Sequence, residues 1–300
     1  MEQFLTVNTR ATPTRTTDPK EAAMTIDWTR TPVGLESRVL ERHGTSLHYW
    51  VGGAVDRPAI ALLHGAAMDH RMFNAQVPVL LSDHRVLLWD ARGHGRSHPL
   101  GIDRPTIDDY VDDFVAVLGD AGIGRAVLVG QSMGAYVSQH TVLRHPNRVV
   151  ALVVIGSTPI ASTLTRAEHA AMRFAVHAFA LWPIGHLRRS MARATAVRED
   201  VRAYALDALS TIAQRDLARI FDAVATAVRR EGSPDLRIDV PFLLTHGEHD
   251  GTGNIRKDGT RWASSDPQID YVVIPEAGHN ANQDNPEAFN RELQRFLRGV

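Results

Sequence analysis

Short apolar runs recur along this chain, and most of them end at a glycine or a histidine. Ala59 to Leu63, Arg85 to Trp89, Val127 to Val129, Val149 to Ile155 and Pro241 to Thr245 carry almost no polar alternation. Runs of that length without alternation suit strands buried on both faces. Leu47 to Val51, followed by the turn Gly52-Gly53, and Ile269 to Ile274 read as two further strands. Between them the spacing turns helical over Met72 to Leu81, Thr106 to Leu118 and Ala135 to Arg144, and Pro286 to Leu297 closes the chain as a helix. Thr106 is placed to cap its helix, with Asp108 and Asp109 in the first turn. Strand and helix in alternation predict an α/β fold, a mostly parallel sheet with helices on both faces.

From Thr158 to about Asp235 the strand signal vanishes. Ala, Arg, Leu and Val recur at helical spacing, interrupted by Leu181-Trp182-Pro183-Ile184-Gly185. Met172, Phe174, Phe179, Trp182, Met191, Tyr204, Leu209 and Phe221 are its larger apolar residues. Most should fill helix core, and a few should line a pocket, because a helical insert between two sheet strands is best placed as a lid. The expected organisation is a disordered tail over residues 1–32, a core from 33–158 and 237–300, and a helical lid over 159–236. The tail expectation rests on a Thr-, Arg- and Pro-rich stretch with no periodicity to bury.

Composition removes several function classes. The formal net charge of −1 makes no electrostatic case for nucleic acid or an anionic membrane. No apolar run approaches the roughly 20 residues of a membrane span, and the N-terminus lacks the apolar core of a secretory signal, so a cytoplasmic location is the default. With no cysteine, a disulfide framework, a thiolate metal site and a cysteine nucleophile are all excluded.

The chemistry gathers at strand ends, the edge where open parallel sheets build their sites. Gly130-Gln131-Ser132-Met133-Gly134 joins an apolar strand to a helix. A sharp strand-to-helix turn lifts a serine hydroxyl above the sheet, and glycines two residues either side relieve the crowding. Asp250 follows the next-to-last strand and His279 the last. Acyl transfer by serine needs a nucleophile, a base, an acid that holds the base, and donors for the oxyanion. Ser132, His279 and Asp250 supply the first three in the chain order Ser, Asp, His.

These residues, with His64-Gly65, Asp90-Ala91-Arg92-Gly93-His94-Gly95-Arg96-Ser97, Gly247-Glu248-His249-Asp250 and Gly278-His279, resemble the α/β-hydrolase superfamily. The similarity runs from roughly Leu47 to the C-terminus and is greatest to the lid-bearing branch of esterases, enol-lactonases, carbon–carbon bond hydrolases and cofactor-free perhydrolases. The resemblance implies the triad Ser132, Asp250 and His279. It implies an oxyanion hole from the backbone N–H of Met133 and of Ala66 or Ala67, the first assisted by the helix dipole. It also implies a structural role for His64 and for the Asp90–Arg92–His94 turn. A serine at the elbow sets the chain apart from relatives that attack alkyl carbon with aspartate.

The expected function is hydrolysis of a small to medium, largely apolar ester or lactone through an acyl-enzyme, with a small-molecule substrate and no cofactor. Carbon–carbon hydrolysis of a β-diketone and a slow-turnover ligand sensor keep the same residues and stay open. Glu248 competes with Asp250 for the acid role. Gly156-Ser157-Thr158 offers no carboxylate for the variant in which the acid follows an earlier strand. His246 and His249 lack a third ligand at sensible spacing, so no metal is expected. Gly93-x-Gly95 lacks the remaining features of a dinucleotide site.

Overall fold

The computed structural model describes residues 26–160, 182–227 and 238–300. Among the described residues, eight strands form one sheet in the order β1-β2-β4-β3-β5-β6-β7-β8. They are β1 (Leu35–Arg42), β2 (Thr45–Gly52), β3 (Ala59–Leu63), β4 (Arg85–Trp89), β5 (Ala126–Gln131), β6 (Val149–Ile155), β7 (Phe242–Gly247) and β8 (Ile269–Ile274). β1 and β2 are antiparallel to their neighbours, and every pairing among β3 to β8 is parallel. Ile60 to Leu63 of β3 and Val86 to Leu88 of β4 are wholly buried, as their unbroken apolar runs require. β1 escaped the sequence reading. It is an edge strand whose residues Glu36, Ser37, Arg38, Glu41 and Arg42 keep it half-exposed along its length. It therefore has neither an apolar run nor a clean alternation to betray it.

The helices of the described residues are α1 (Val77–Leu80), α2 (Ile107–Asp120), α3 (Met133–Arg144), α4 (Ile184–Thr195), α5 (Glu199–Ser210), α6 (Gln214–Ala227), α7 (Ile255–Ser265), α8 (Ala281–Asp284) and α9 (Pro286–Leu297). Thr106 caps α2 in a full capping box with Asp109. The helix expected over Met72 to Leu81 is instead a 3₁₀ turn, His70–Phe73, and the short α1. Pro78 has no N–H for a continuous helix to use and fits only the first turn of a new one. α4 to α6 lie between β6 and β7 in the chain. Met172, Phe174 and Phe179 fall outside the described residues, as do residues 1–25.

The tail boundary needs correction. Residues 26–32 belong to the packed body. Trp28 is buried, and its Nε1–H donates to Asp200 Oδ2 on α5 at 3.1 Å. Asn74 donates to the carbonyls of Asp27 and Arg30, and Thr31 Oγ1 lies 2.9 Å from His70 Nε2. One tryptophan in a polar stretch gives no periodicity, so composition alone could not find this anchor. No helix of the described residues is long and apolar enough to cross a membrane.

Candidate active site

Ser132 stands between β5 and α3 with φ 49° and ψ −110°. A non-glycine residue at positive φ is strained, and such strain persists where surrounding packing imposes it. The imposing contacts are visible in the two glycines. A Cβ on Gly130 would lie 2.4 Å from the Gly134 carbonyl oxygen, and one on Gly134 would lie 2.1 Å from the Leu63 carbonyl oxygen. β5, α3 and β3 approach too closely there for any side chain. The Ser132 N–H donates to Ile155 O at 2.9 Å, which fixes the elbow to β6.

His279 follows β8 and Asp250 follows β7. His279 Nδ1 lies 2.9 Å from Asp250 Oδ2, and both residues are buried. A carboxylate only accepts, so Nδ1 carries a proton, and in the neutral ring Nε2 presents a lone pair. Asp250 Oδ1 accepts from the Thr252 N–H at 2.9 Å. Burial by itself would raise the Asp250 carboxyl, but the bonds from His279 and Thr252 outweigh it and hold the group below the usual range. Gly156 makes room for the pair. A Cβ there would meet His279 Nδ1 at 3.1 Å and Asp250 Oδ2 at 3.2 Å. The sequence reading noticed Gly156 only for lacking a carboxylate. Its signal was a glycine at the end of a buried strand.

Ser132, His279, Ala66 and Ala67 line one cavity of about 510 Å³. Met191, Leu209, Phe221 and Val224 from α4 to α6 also line it, a mostly apolar surface suited to a small organic ligand. Ala67 has φ 62°, a turned backbone in the loop after β3. Met133 opens α3, where the first N–H groups of a helix have no partner within it.

A model of the serine aminopeptidase (S33) family matches residues 55–285. The chain belongs to this family and is an α/β-hydrolase. A 3-oxoadipate enol-lactonase of Acinetobacter baylyi is 25% identical over 265 residues, covering 87% of this chain and 97% of the relative. A bifunctional esterase/perhydrolase of Acinetobacter calcoaceticus is 26% identical over 279 residues, covering 87% and 99%. Among solved structures, a hydrolase from Pseudomonas aeruginosa is similar at 26% identity with a TM-score of 0.73, covering 87% of this chain and 98% of that one. The enol-lactonase from Burkholderia xenovorans shares the fold at a TM-score of 0.74 and 23% identity, covering 87% and 100%.

The remaining motif residues of the hydrolase divide by what they touch. Glu248 is half-exposed and accepts from the Glu276 N–H at 3.0 Å, while Asp250 holds His279. His64 donates from Nδ1 to Gly65 O at 2.8 Å and accepts at Nε2 from the Ala91 N–H at 3.0 Å. It is thereby a neutral strut under the loop that carries Ala66 and Ala67, and burial pushes its pKa down. Asp90 accepts from the His70 N–H, His70 Nδ1 and the Arg96 N–H. Arg92 grips Asp113 with two bonds of 2.5 and 2.7 Å. None of these four lines the cavity. His246 is engaged by Gly247 O and the Tyr271 hydroxyl, and His249 stands 3.9 Å from Glu248.

Two residues hold the histidine loop: Gln131, which sequence reasoning passed over, and Asp284, which flanks His279 in sequence and was expected to serve the loop or the helix start. Gln131 is buried beside the nucleophile, and its Nε2–H donates to His279 O at 3.1 Å. Asp284 receives the Gly278 N–H at 2.8 Å. Both sat in view as polar residues near motifs, and only the tertiary fold reveals their partners.

Proposed function

We propose that the chain is a serine hydrolase of small to medium, largely apolar esters or lactones, working through an acyl-enzyme. His279 Nε2 takes the Ser132 proton as Oγ attacks the carbonyl carbon. Asp250 keeps the proton on Nδ1 and stabilises the imidazolium that forms. The amides of Met133 and of Ala66 or Ala67 receive the oxyanion, with the positive end of α3 behind Met133. His279 then returns the proton to the leaving oxygen, the carbon–oxygen bond breaks, and water repeats the sequence on the acyl-enzyme. No cofactor enters these steps. α4 to α6 serve as a lid within 159–236, set on a core of 33–158 and 237–300.

The observation that carries this reading is the His279–Asp250 pair, buried and bonded at 2.9 Å, beside a cavity that Ser132 enters from a strained elbow. The names of the relatives, a lactonase and an esterase/perhydrolase, support an acyl carbon as the target. The test is turnover on a panel of p-nitrophenyl esters, lactones and β-diketones with wild type and Ser132→Ala. Ester or lactone turnover that falls roughly 10⁴- to 10⁶-fold in the variant, with the fold retained, supports the reading. Exclusive cleavage of β-diketones, tight binding without turnover, or more than about a tenth of wild-type activity in the variant contradicts it.

A further inference from the structure

Asp284 sits at the end of α8, five residues beyond His279 in the chain and buried to 5% exposure. Its carboxylate binds two separate parts of the molecule. Oδ2 accepts from the Gly278 N–H at 2.8 Å, immediately before the histidine. The Val197 N–H donates to both oxygens at 3.1 and 3.0 Å, and the Arg198 N–H donates to Oδ1 at 3.0 Å. Val197 and Arg198 form the turn between α4 and α5. A second tie runs beside the first, from the Asn280 N–H to Thr195 O at 2.8 Å. A Cβ on Gly278 would stand 3.2 Å from Asp284 Oδ2 and 3.4 Å from Ala196, so the two segments approach to near contact.

The insertion side of this junction reaches the cavity directly. Met191, Ala194 and Thr195, all on α4, line it, and Thr195 is the last residue before the turn that Asp284 holds. The histidine side also has an anchor of its own, because Gln131 ties His279 O to the nucleophile elbow. Burial pushes the Asp284 carboxyl above the ordinary value, while the Arg198, Val197 and Gly278 amides pull the other way.

We propose that Asp284 is a positioning residue that couples the helical insertion to the His279 loop, so that substrate resting on α4 helps set the catalytic imidazole in place. The inference rests on the reading of His279 as the base. An acyl chain long enough to press on Met191 and Ala194 steadies α4, and the carboxylate carries that constraint to Gly278. A short acyl group leaves the wall untouched and reacts with the imidazole held by Asp250 and Gln131 alone.

The test compares p-nitrophenyl octanoate with p-nitrophenyl acetate. Asp284→Asn is close to isosteric, but whichever way its amide turns, an NH₂ group faces a backbone N–H. Either the Gly278 bond or the Arg198 bond is lost. The expected result is a fall of about 10- to 100-fold in kcat for octanoate and a much smaller fall for acetate. Val197→Pro removes one donor on the insertion side alone. Ala196 is already extended at φ −142° and ψ 155°, as a residue before proline must be. It should lower the octanoate-to-acetate ratio while acetate turnover stays within about twofold of wild type. Gln131→Leu should slow both esters by the same factor. Equal slowing of both esters in Asp284→Asn, or an unchanged ratio in Val197→Pro, overturns the coupling. His279→Ala separates the two readings. Wild-type turnover in that variant defeats the base assignment itself, whereas its inactivity beside an unchanged ratio in Asp284→Asn defeats only the coupling.

Discussion

Trp28 is the anchor of the N-terminal segment, and Trp28→Ala measures what that anchor contributes. The indole is 5% exposed and lies tilted against Tyr204 with ring centroids 6.1 Å apart. Its Nε1–H bonds Asp200 on α5. Truncating a buried tryptophan costs about 3–5 kcal/mol, and a site at the edge of the body, free to collapse, belongs at the lower end. The orphaned Asp200 carboxylate adds little, because Arg198 already donates to both its oxygens. About 3 kcal/mol at 2–4 °C per kcal/mol gives a melting temperature lower by roughly 6–12 °C. Trp28→Phe keeps one aromatic ring but loses the hydrogen bond and the pyrrole half of the indole, so it should cost less than the alanine change, about 1–3 kcal/mol. The assay is thermal and urea unfolding followed by circular dichroism, with ester turnover at 25 °C as control. Turnover should persist, since Trp28 does not line the cavity. Deleting residues 1–23 should leave the melting temperature unchanged, because that Thr-, Arg- and Pro-rich stretch has no apolar pattern to bury. A Trp28→Ala shift below about 1 °C, against that expectation, refutes the anchor.

The acid assignment is tested by Asp250→Asn, which should lower kcat on the order of 10⁴-fold by favouring the wrong tautomer of His279. Glu248→Gln should cost little, since Glu248 faces the Glu276 amide, and the reverse outcome would move the role to Glu248. Acid should destabilise the fold earlier than carboxylates alone predict. Burial depresses His94 to about 3 from an ordinary 6.5, with His64 close by adding to the effect. The folded state then binds fewer protons than the unfolded chain. Stability is therefore full above about pH 6.5 and is lost as pH falls toward 3, by up to about 1.4 kcal/mol per unit. Urea midpoints at several pH values should show a shallower slope in His94→Gln, and identical slopes would contradict the linkage.

The parallel core was legible because strands buried on both faces leave unbroken apolar runs, as in β3, β4 and β6. The placement of Ser132, Asp250 and His279 was legible because each closes such a run, and in this topology run ends share one edge. Sequence could not show what depends on distant partners. β1 pairs through its backbone with β2 and carries polar residues, so no pattern marks it. Trp28 finds its site only once α5 is in place. The choice between Asp250 and Glu248 turns on which carboxylate faces the histidine, and two positions of separation cannot decide that. Gly156, Gln131 and Asp284 work through contacts with chain 87 to 148 residues away, which leave no local trace.

The central claim is that Ser132 is an activated nucleophile. A fluorophosphonate measures this most directly, since phosphorus is attacked as an acyl carbon would be and its oxyanion fits the same donors. Mass spectrometry of the intact, folded protein should show one adduct per chain, and peptide mapping should place it on the segment Gly130 to Gly134. Labelling should slow under acid, because a protonated imidazole cannot accept the serine proton, and His279→Ala should label far more slowly at neutral pH. A folded wild-type chain that resists the reagent, or labels at a residue other than Ser132, would contradict the account.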